Sequence, residues 1–448
     1  MAARIGLHAQ HGGRRQRTAH ARGARRHYPS PGADRKRRTP QTAPDIGRRA
    51  LVIALAAALA LLACQDFSSG RLDRQDGLQQ GTFGRDDRLT AAITPGRFQA
   101  VDQQPDGFHV SLRANAPWPS IVLVNGNPTN ASLILRIDNA DPNAERTARL
   151  RPLATEDRAA ADCARTDAPP IEIAPPPLDP IPGAPGALRA EVVMPPCARM
   201  ELDFAVPGDL AELRIAVVGT TDADGERLRR ILDDAERWEA HHAVFLGGIT
   251  QPQRGEERFD RFRSLTDNRA LPVTALPGPV ENRAGVEAFQ QAFGPTTFHL
   301  RIASLDFLAL DTSAGTLAGN QFRFVADLSG VMGSGGLAFM SIPPIAPDEA
   351  GLHALHSGQQ GARLLEKLMG LRIEHLFASN GRHDASSRVA DLTIHQLDAR
   401  ERARYARVTI TDPWGIGACP ASPEDEPGAP TALDCPPGPH VRVHKHRP

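Results

Sequence analysis

Four cysteines stand where oxidation can pair them: Cys163, Cys197, Cys419 and Cys435. Four thiols allow three pairings. Nearest neighbours each share one Pro-rich irregular stretch, so Cys163–Cys197 and Cys419–Cys435 are expected. Each such closed loop restricts the unfolded chain, a stabilisation of about 3 kcal/mol, and belongs to an oxidising compartment. The histidines are less eloquent. His353 and His356 have the i, i+3 spacing of one helix face and are expected as a surface pair. His241 and His242 precede an apolar strand and are expected to cap or solvate a helix end. Asp311, Thr312 and Ser313 are residue types that order a turn through side-chain hydrogen bonds. The sequence has no phosphate-cradling P-loop and no nucleophile elbow.

The elements that must position these groups fall into two textures. Around 120–124 a short apolar run stops at Asn125-Gly126-Asn127-Pro128, a turn signal. Leu133, Leu135 and Ile137 then alternate with other residues, as do Met200, Leu202, Phe204 and Val206. Period-2 patterns broken by Gly, Asn and Pro predict a small antiparallel β-sandwich over 96–208, interrupted by the proline-rich loop 175–185. That module shows no catalytic constellation and reads as a spacer or adhesion-type unit. From 210 to 411 the rhythm changes: apolar strands at 213–218, 242–246 and 271–276 end in glycine-containing turns, with a helix at 224–240 between the first two. Further strands are expected at 297–302, 306–311, 336–342, 373–378, 388–395 and 405–411, with helices near 286–292 and 357–368. Strands alternating with helices mean layered α/β structure. Residues 412–448 read as an irregular, Pro-rich tail stapled by its cysteine pair.

Length, 448 residues, allows two or three domains. Net charge is +0, so the chain as a whole carries no electrostatic argument for nucleic acid or anionic membrane. Aromatics are only 5%, while Gly and Pro number 39 each, which fits long connectors around ordinary cores. Residues 1–47 are Arg-rich and read as a mis-called start or a long basic extension, outside the fold. Behind Arg48-Arg49, the apolar run 50–63 is too short to span a membrane comfortably and ends in Leu61-Leu62-Ala63-Cys64. This ending resembles the bacterial lipobox, whose cysteine becomes the lipidated first residue. The resemblance implies a signal peptide over 48–64, lipid on Cys64 and, with Gln65 next, an outer-membrane lipoprotein. Residues 65–95 read as a flexible polar tether.

The order of signals from Leu213 to His395 resembles the calcineurin-like metallophosphoesterases, most closely where Phe293-Gly294-Pro295 and Leu308 to Ser313 match the family's linking segment. The resemblance implies an α/β fold, a layered β-sandwich flanked by helices, preceded here by the all-β domain. In that family five strand-end loops hold two metal ions through Asp-x-His, Gly-Asp, Gly-Asn-His-Asp/Glu, His and Gly-His-x-His motifs. Here the corresponding positions are Thr220 and Asp222, then Gly248, then Pro279 and Val280, then Ser341, then Asn380 and Arg382. Glycine offers no side-chain oxygen, and proline and valine neither bind a metal nor protonate a leaving group.

The resemblance therefore implies a cell-envelope pseudoenzyme, a phosphoesterase scaffold kept as a binding or structural module with no cofactor. Its partners would be the membrane, through the lipid, and an envelope protein or small ligand, not nucleic acid. The alternative is a hydrolase with one divalent ion, Zn, Mn or Fe, held by Asp222, Glu281, His383 and Asp384. Against that, His383 and Asp384 also read as loop polar residues. Arg382 has two readings: a fixed cation pairing with Asp222, Glu281 or Asp384, or a solvated side chain.

Overall fold

The structure is a computed structural model, and it describes residues 78–153, 163, 168–250, 259–267, 269–283, 285–332, 335–345, 354–379, 384–397, 405–411, 413 and 439–446. Eleven strands come first. They are β1 (Gln80–Phe83), β2 (Leu89–Thr94), β3 (Gly96–Gln104), β4 (Gly107–Ala114), β5 (Ser120–Asn125) and β6 (Ala131–Asp138). After them run β7 (Glu145–Pro152), β8 (Ile171–Ile173), β9 (Asp179–Ile181), β10 (Ala184–Met194) and β11 (Ala198–Ala205). They form two sheets, β1-β2-β5-β11-β7-β8 and β3-β4-β6-β10-β9. Alternate residues such as Ile121 and Leu123, Leu133, Leu135 and Ile137, and Met200, Leu202 and Phe204 are buried in one core, as a pleated strand with one buried face requires. The sandwich expected from the period-2 pattern is present, with one departure: β4 and β6 run parallel. It also begins earlier than expected. Residues 80–94, assigned above to the tether, supply β1 and β2, whose Phe83, Leu89, Ala91 and Ile93 are core residues. Charged residues at 85–88 hide that short alternation.

The second region contains β12 (Glu212–Val218), α1 (Gly225–Arg237), β13 (His242–Phe245), α2 (Asp260–Thr266), β14 (Val273–Ala275), α3 (Pro279–Arg283) and α4 (Val286–Phe293). It continues through β15 (Phe298–Ile302), β16 (Leu305–Leu310), α5 (Gly319–Asp327), β17 (Gly336–Met340), α6 (Gly358–Gly370) and β18 (Ile373–Ala378). The last strands are β19 (Ala385–Val389), β20 (Leu392–Gln396), β21 (Tyr405–Thr411) and β22 (His440–His446). Two mixed sheets result, β14-β13-β12-β21-β22 and β15-β16-β17-β18-β20-β19.

Their continuous apolar runs follow from burial on both faces. On β12, Leu213, Ile215 and Val217 face the layer shared with the other sheet, while Ala216 and Val218 face the layer that contains α1 residues. On β16, Phe307 and Ala309 face inward, and Leu308 and Leu310 pack with α5 and α6 residues. Helix α1 starts where Asp224 accepts the N–H groups of Glu226 and Arg227, both at 3.1 Å. It buries Leu228, Ile231, Leu232 and Ala235. This is the layered α/β fold expected from the sequence, behind a small all-β domain. Among the described residues no helix is long and apolar enough to cross a membrane.

The tail after 411 is not wholly irregular, because residues 440–446 form β22, paired antiparallel with β21 from Tyr405↔His446 to Thr411↔His440. Its Val441 and Val443 pack against the main core. Helix α5 was also unforeseen.

The β-sandwich is welded to the second region rather than strung before it. Strand β14 is an edge strand, and side-chain amides complete that edge. Asn139 donates to the Val273 carbonyl and accepts the Val273 N–H, both at 2.7 Å, as a neighbouring strand would. Asn115 accepts from the Ala275 N–H at 3.3 Å and donates to the Pro295 carbonyl at 3.1 Å. Arg113, 0% exposed, donates to Asp267 at 2.8 Å and lies over the Phe293 ring at 5.2 Å.

Candidate functional site

Parallel strands deliver their C-terminal ends to one side of a sheet, and in layered α/β proteins that side is where ligands bind. Here the turns after β12, β13, β14, β17 and β18 meet, and they meet by bonding to one another. Thr220, after β12, and Ser379, after β18, share a hydroxyl–hydroxyl hydrogen bond of 2.6 Å, and the Thr220 N–H donates to the same Ser379 oxygen at 3.0 Å. Thr221 donates its hydroxyl to the Gly248 carbonyl at 3.0 Å, which also accepts the Ala223 N–H at 3.2 Å. The Ser379 N–H donates to the Ser341 carbonyl at 3.1 Å. Ser341 is 1% exposed, with its hydroxyl 3.4 Å from that of Thr312, which accepts the Ile342 N–H at 2.8 Å.

Gly248 has φ +64, and a Cβ built there falls 2.3 Å from the Thr220 methyl group. A side chain at 248 is thus opposed twice, by backbone conformation and by the residue standing opposite. Gly247 has φ +96, with its would-be Cβ 2.5 Å from the Gly278 Cα. The β13 and β14 turns touch backbone to backbone.

Glu281 explains how these turns are held. It is 0% exposed, in the short α3 that also contains Pro279 and Val280. One carboxylate oxygen accepts the N–H groups of Gly248 at 3.0 Å and Gly278 at 2.8 Å. The other accepts the N–H groups of Ile249 and Thr250 and the Thr250 hydroxyl, each at 3.0 Å. Five donors satisfy a buried carboxylate, as burial of a charge requires, and leave it turned to its own loops. Asp222 is exposed, with φ 53 in the left-handed region. Asp384 is half-buried at the start of the β19 turn. Asn380, Arg382 and His383 lie outside the described residues, as do Cys64, Cys419, Cys435 and His353. Among the described residues no group of three or more His, Cys, Asp or Glu side chains is arranged to hold a metal ion.

Three other expectations meet the structure directly. Cys163 and Cys197 are joined, with Cα atoms 5.6 Å apart. Asp311 accepts the Ser313 N–H at 3.0 Å and its hydroxyl at 2.5 Å, the side-chain-ordered turn expected there. His242 is a correction. It solvates no helix end but is 0% exposed inside β13, 5.5 Å from the Phe307 ring centroid, with burial pushing its pKa down to about 3. Its Nε2 is 2.8 Å from the Thr274 hydroxyl, which donates onward to the Asn115 carbonyl at 2.6 Å. The hydroxyl's proton being committed, His242 is the Nε2–H tautomer. A second buried imidazole went unnoticed in the sequence: His395 on β20, 3.0 Å from His375 on β18, is pushed down to about 4 by burial.

The chemistry on offer at the strand ends is that of neutral hydroxyls and backbone groups. Among the described residues, the hydroxyls that meet at these turns, with a glycine and a proline beside them, form a poor donor set for divalent ions.

No family model matches the chain, and no curated protein matches it. Solved structures do. One, described as the GAP50 anchor in the inner membrane complex of Plasmodium, is 8% identical at TM-score 0.37, over 53% of this chain and 89% of its own. A dimetal phosphatase from Danio rerio is 9% identical at TM-score 0.36, over 44% and 92%. YfcE, a phosphoesterase from E. coli, is 10% identical at TM-score 0.25, over 44% and 92%. At such values these likenesses concern the fold alone, and none is a ground for an activity.

Proposed function

We propose that this chain is a non-catalytic envelope lipoprotein in which a calcineurin-like phosphoesterase scaffold serves as a binding or structural module. One observation supports the reading most: Thr220 and Ser379 are bonded to each other at the strand ends, where the resemblance to the family calls for carboxylate and imidazole donors. Around that pair, Gly248 has no room for a side chain and both Glu281 oxygens are engaged by loop donors. A bridging carboxylate balances two dications, and hydroxyls do not replace it. The degenerate positions Thr220, Asp222, Gly248, Pro279, Val280, Ser341, Asn380 and Arg382 are then relics of frame rather than ligands.

The basic flank, the apolar run 50–63 and Leu-Leu-Ala-Cys64 support lipid anchorage, with Gln65 favouring the outer membrane. The Cys163–Cys197 disulfide is in keeping with an oxidising compartment. The alternative single-metal hydrolase loses most from Glu281, whose oxygens would have to abandon five donors to reach an ion.

Elemental analysis of purified protein, joined to turnover of p-nitrophenyl phosphate with added Zn, Mn or Fe, tests the proposal. The expected result is sub-stoichiometric metal and no turnover that Asp222→Ala removes. A stoichiometric ion, with hydrolysis abolished by Asp222→Ala, overturns it.

A further inference from the structure

At the opposite end of the same strands, a cavity of about 1000 Å³ opens between the β-sandwich and the second region. Its size is at the upper end of small-molecule sites, and the seam between two domains is where such sites concentrate. Its walls come from both sides: the β6–β7 loop and the start of β10 from the sandwich, and the α1–β13 and α2–β14 connections from the second region. Asn115 and Asn139 hold the two sides in fixed relation, so the cavity is preformed.

The lining chemistry is one-sided. Leu210, Leu265, Leu271 and Pro272 make apolar surface. Among the described lining residues are four carboxylates, Asp141, Asp209, Glu236 and Glu239, against one guanidinium, Arg269, with Arg214 pairing Glu239 from outside the lining. Arg269 is already paired with acids. It donates to Glu236 at 2.7 Å, to Asp233 at 2.6 Å and to the Leu265 carbonyl at 3.0 Å. Asp141 is only 8% exposed, and its oxygens accept the Asn143 N–H at 2.9 Å and the Trp118 indole N–H at 3.2 Å. Glu239 is paired with Arg214 at 2.9 Å, whereas Asp209, in the linker between the domains, makes no hydrogen bond or ion pair among the described residues. His241 accepts the Arg214 N–H at its Nδ1, 3.1 Å away, and burial holds its pKa below the ordinary value. Among the described residues no Phe, Tyr or Trp lines the cavity, so they form no cage that would take a quaternary ammonium over aromatic faces.

Carboxylates spaced around an apolar floor fit a flexible chain of methylenes with cationic nitrogens at intervals. We propose that this interdomain cavity is a binding site for an aliphatic polyamine, with Asp209 and Glu239 meeting ammonium groups at the rim and Asp141 on the sandwich side. The site stands apart from the strand-end turns, and it is independent of whether those turns hydrolyse anything.

Isothermal titration of the purified full-length protein with spermidine tests this, with choline as a monovalent, quaternary control. The expected result is saturable one-to-one binding of spermidine, about fivefold weaker in Asp209→Asn, as loss of one rim ion pair implies. In Asp209→Lys it should weaken at least tenfold. Both exchanges lie on exposed linker and should leave the thermal midpoint unchanged. Absence of saturable heat up to several millimolar spermidine overturns the proposal. So does undiminished binding by Asp209→Lys, or choline binding as tightly as spermidine.

Discussion

The two ends of one set of parallel strands have been put to opposite uses. At the C-terminal ends, turns from β12, β13, β14 and β18 spend their polar groups on each other: hydroxyl to hydroxyl, carbonyl to N–H, and Glu281 to five donors. At the N-terminal ends the same sheet meets a second domain and leaves a cavity ringed by acids. Where polar groups satisfy one another internally, nothing is left to hold a guest. Where carboxylates face an opening, something can be recruited. Among the described residues, the end that the fold makes conventional for ligands has its turns bonded to one another, and the seam beside the extra domain holds a cavity.

The contrast is most severely tested at Glu281. Glu281→Ala leaves four N–H groups and a hydroxyl without an acceptor in a buried place. The expected loss of stability is roughly 3–5 kcal/mol by urea unfolding, and Glu281→Gln, which keeps one acceptor oxygen but turns an NH2 donor towards backbone N–H groups that the other oxygen now accepts, should also destabilise. If Glu281→Ala proves neutral, the turns are not held as described. At the open end, acidity should be the weakness. His242 is buried with a folded pKa of about 3 against an ordinary 6.5. The unfolded chain takes up a proton below about pH 6.5 that the folded chain refuses. Stability is therefore level above that pH and falls as pH drops towards 3. Between pH 7.5 and 5 the contribution is roughly 2 kcal/mol, read from urea midpoints and flattened in His242→Gln. His395, folded at about 4, adds a slope of the same sign.

Asn139→Ala should cost roughly 1–2 kcal/mol, because it frees a buried N–H and a buried carbonyl of β14. Hydrogen exchange of Val273 should rise with it, and unchanged protection would argue against the weld. Smallest is Asp222→Ala, an exposed carboxylate, expected within about 0.5 kcal/mol by the same unfolding assay. A large effect there would bring back a charged centre at the strand ends.

Much of the architecture was legible because both-face burial writes uninterrupted apolar runs, as at 213–218 and 306–310. One-face burial writes alternation, as at 200–206. The position of Thr220, Gly248 and Ser341 at strand ends was legible for the same reason. What each does there was not. Glu281 looked like a spare metal ligand because a carboxylate's value depends on its partners, and four of its five are backbone groups with no signature in residue type. Asn115 and Asn139 carried no signal at all, since nothing in sequence marks an amide that stands in for a strand. His242 sat beside His241 in a polar-looking pair, yet one imidazole faces a backbone N–H near the surface and the other the aromatic core. Strand β22 was masked by the proline-rich stretch before it and by polar residues at every second place.

The amide-completed edge of β14 also bears on how the protein can be handled. A polypeptide beginning near residue 210 would expose the β14 rim that Asn115 and Asn139 now occupy, together with apolar side chains that currently meet the sandwich. An open strand rim beside bare hydrocarbon is a template for copies of itself. Excising the N-terminal module should therefore yield oligomers rather than a well-behaved monomer.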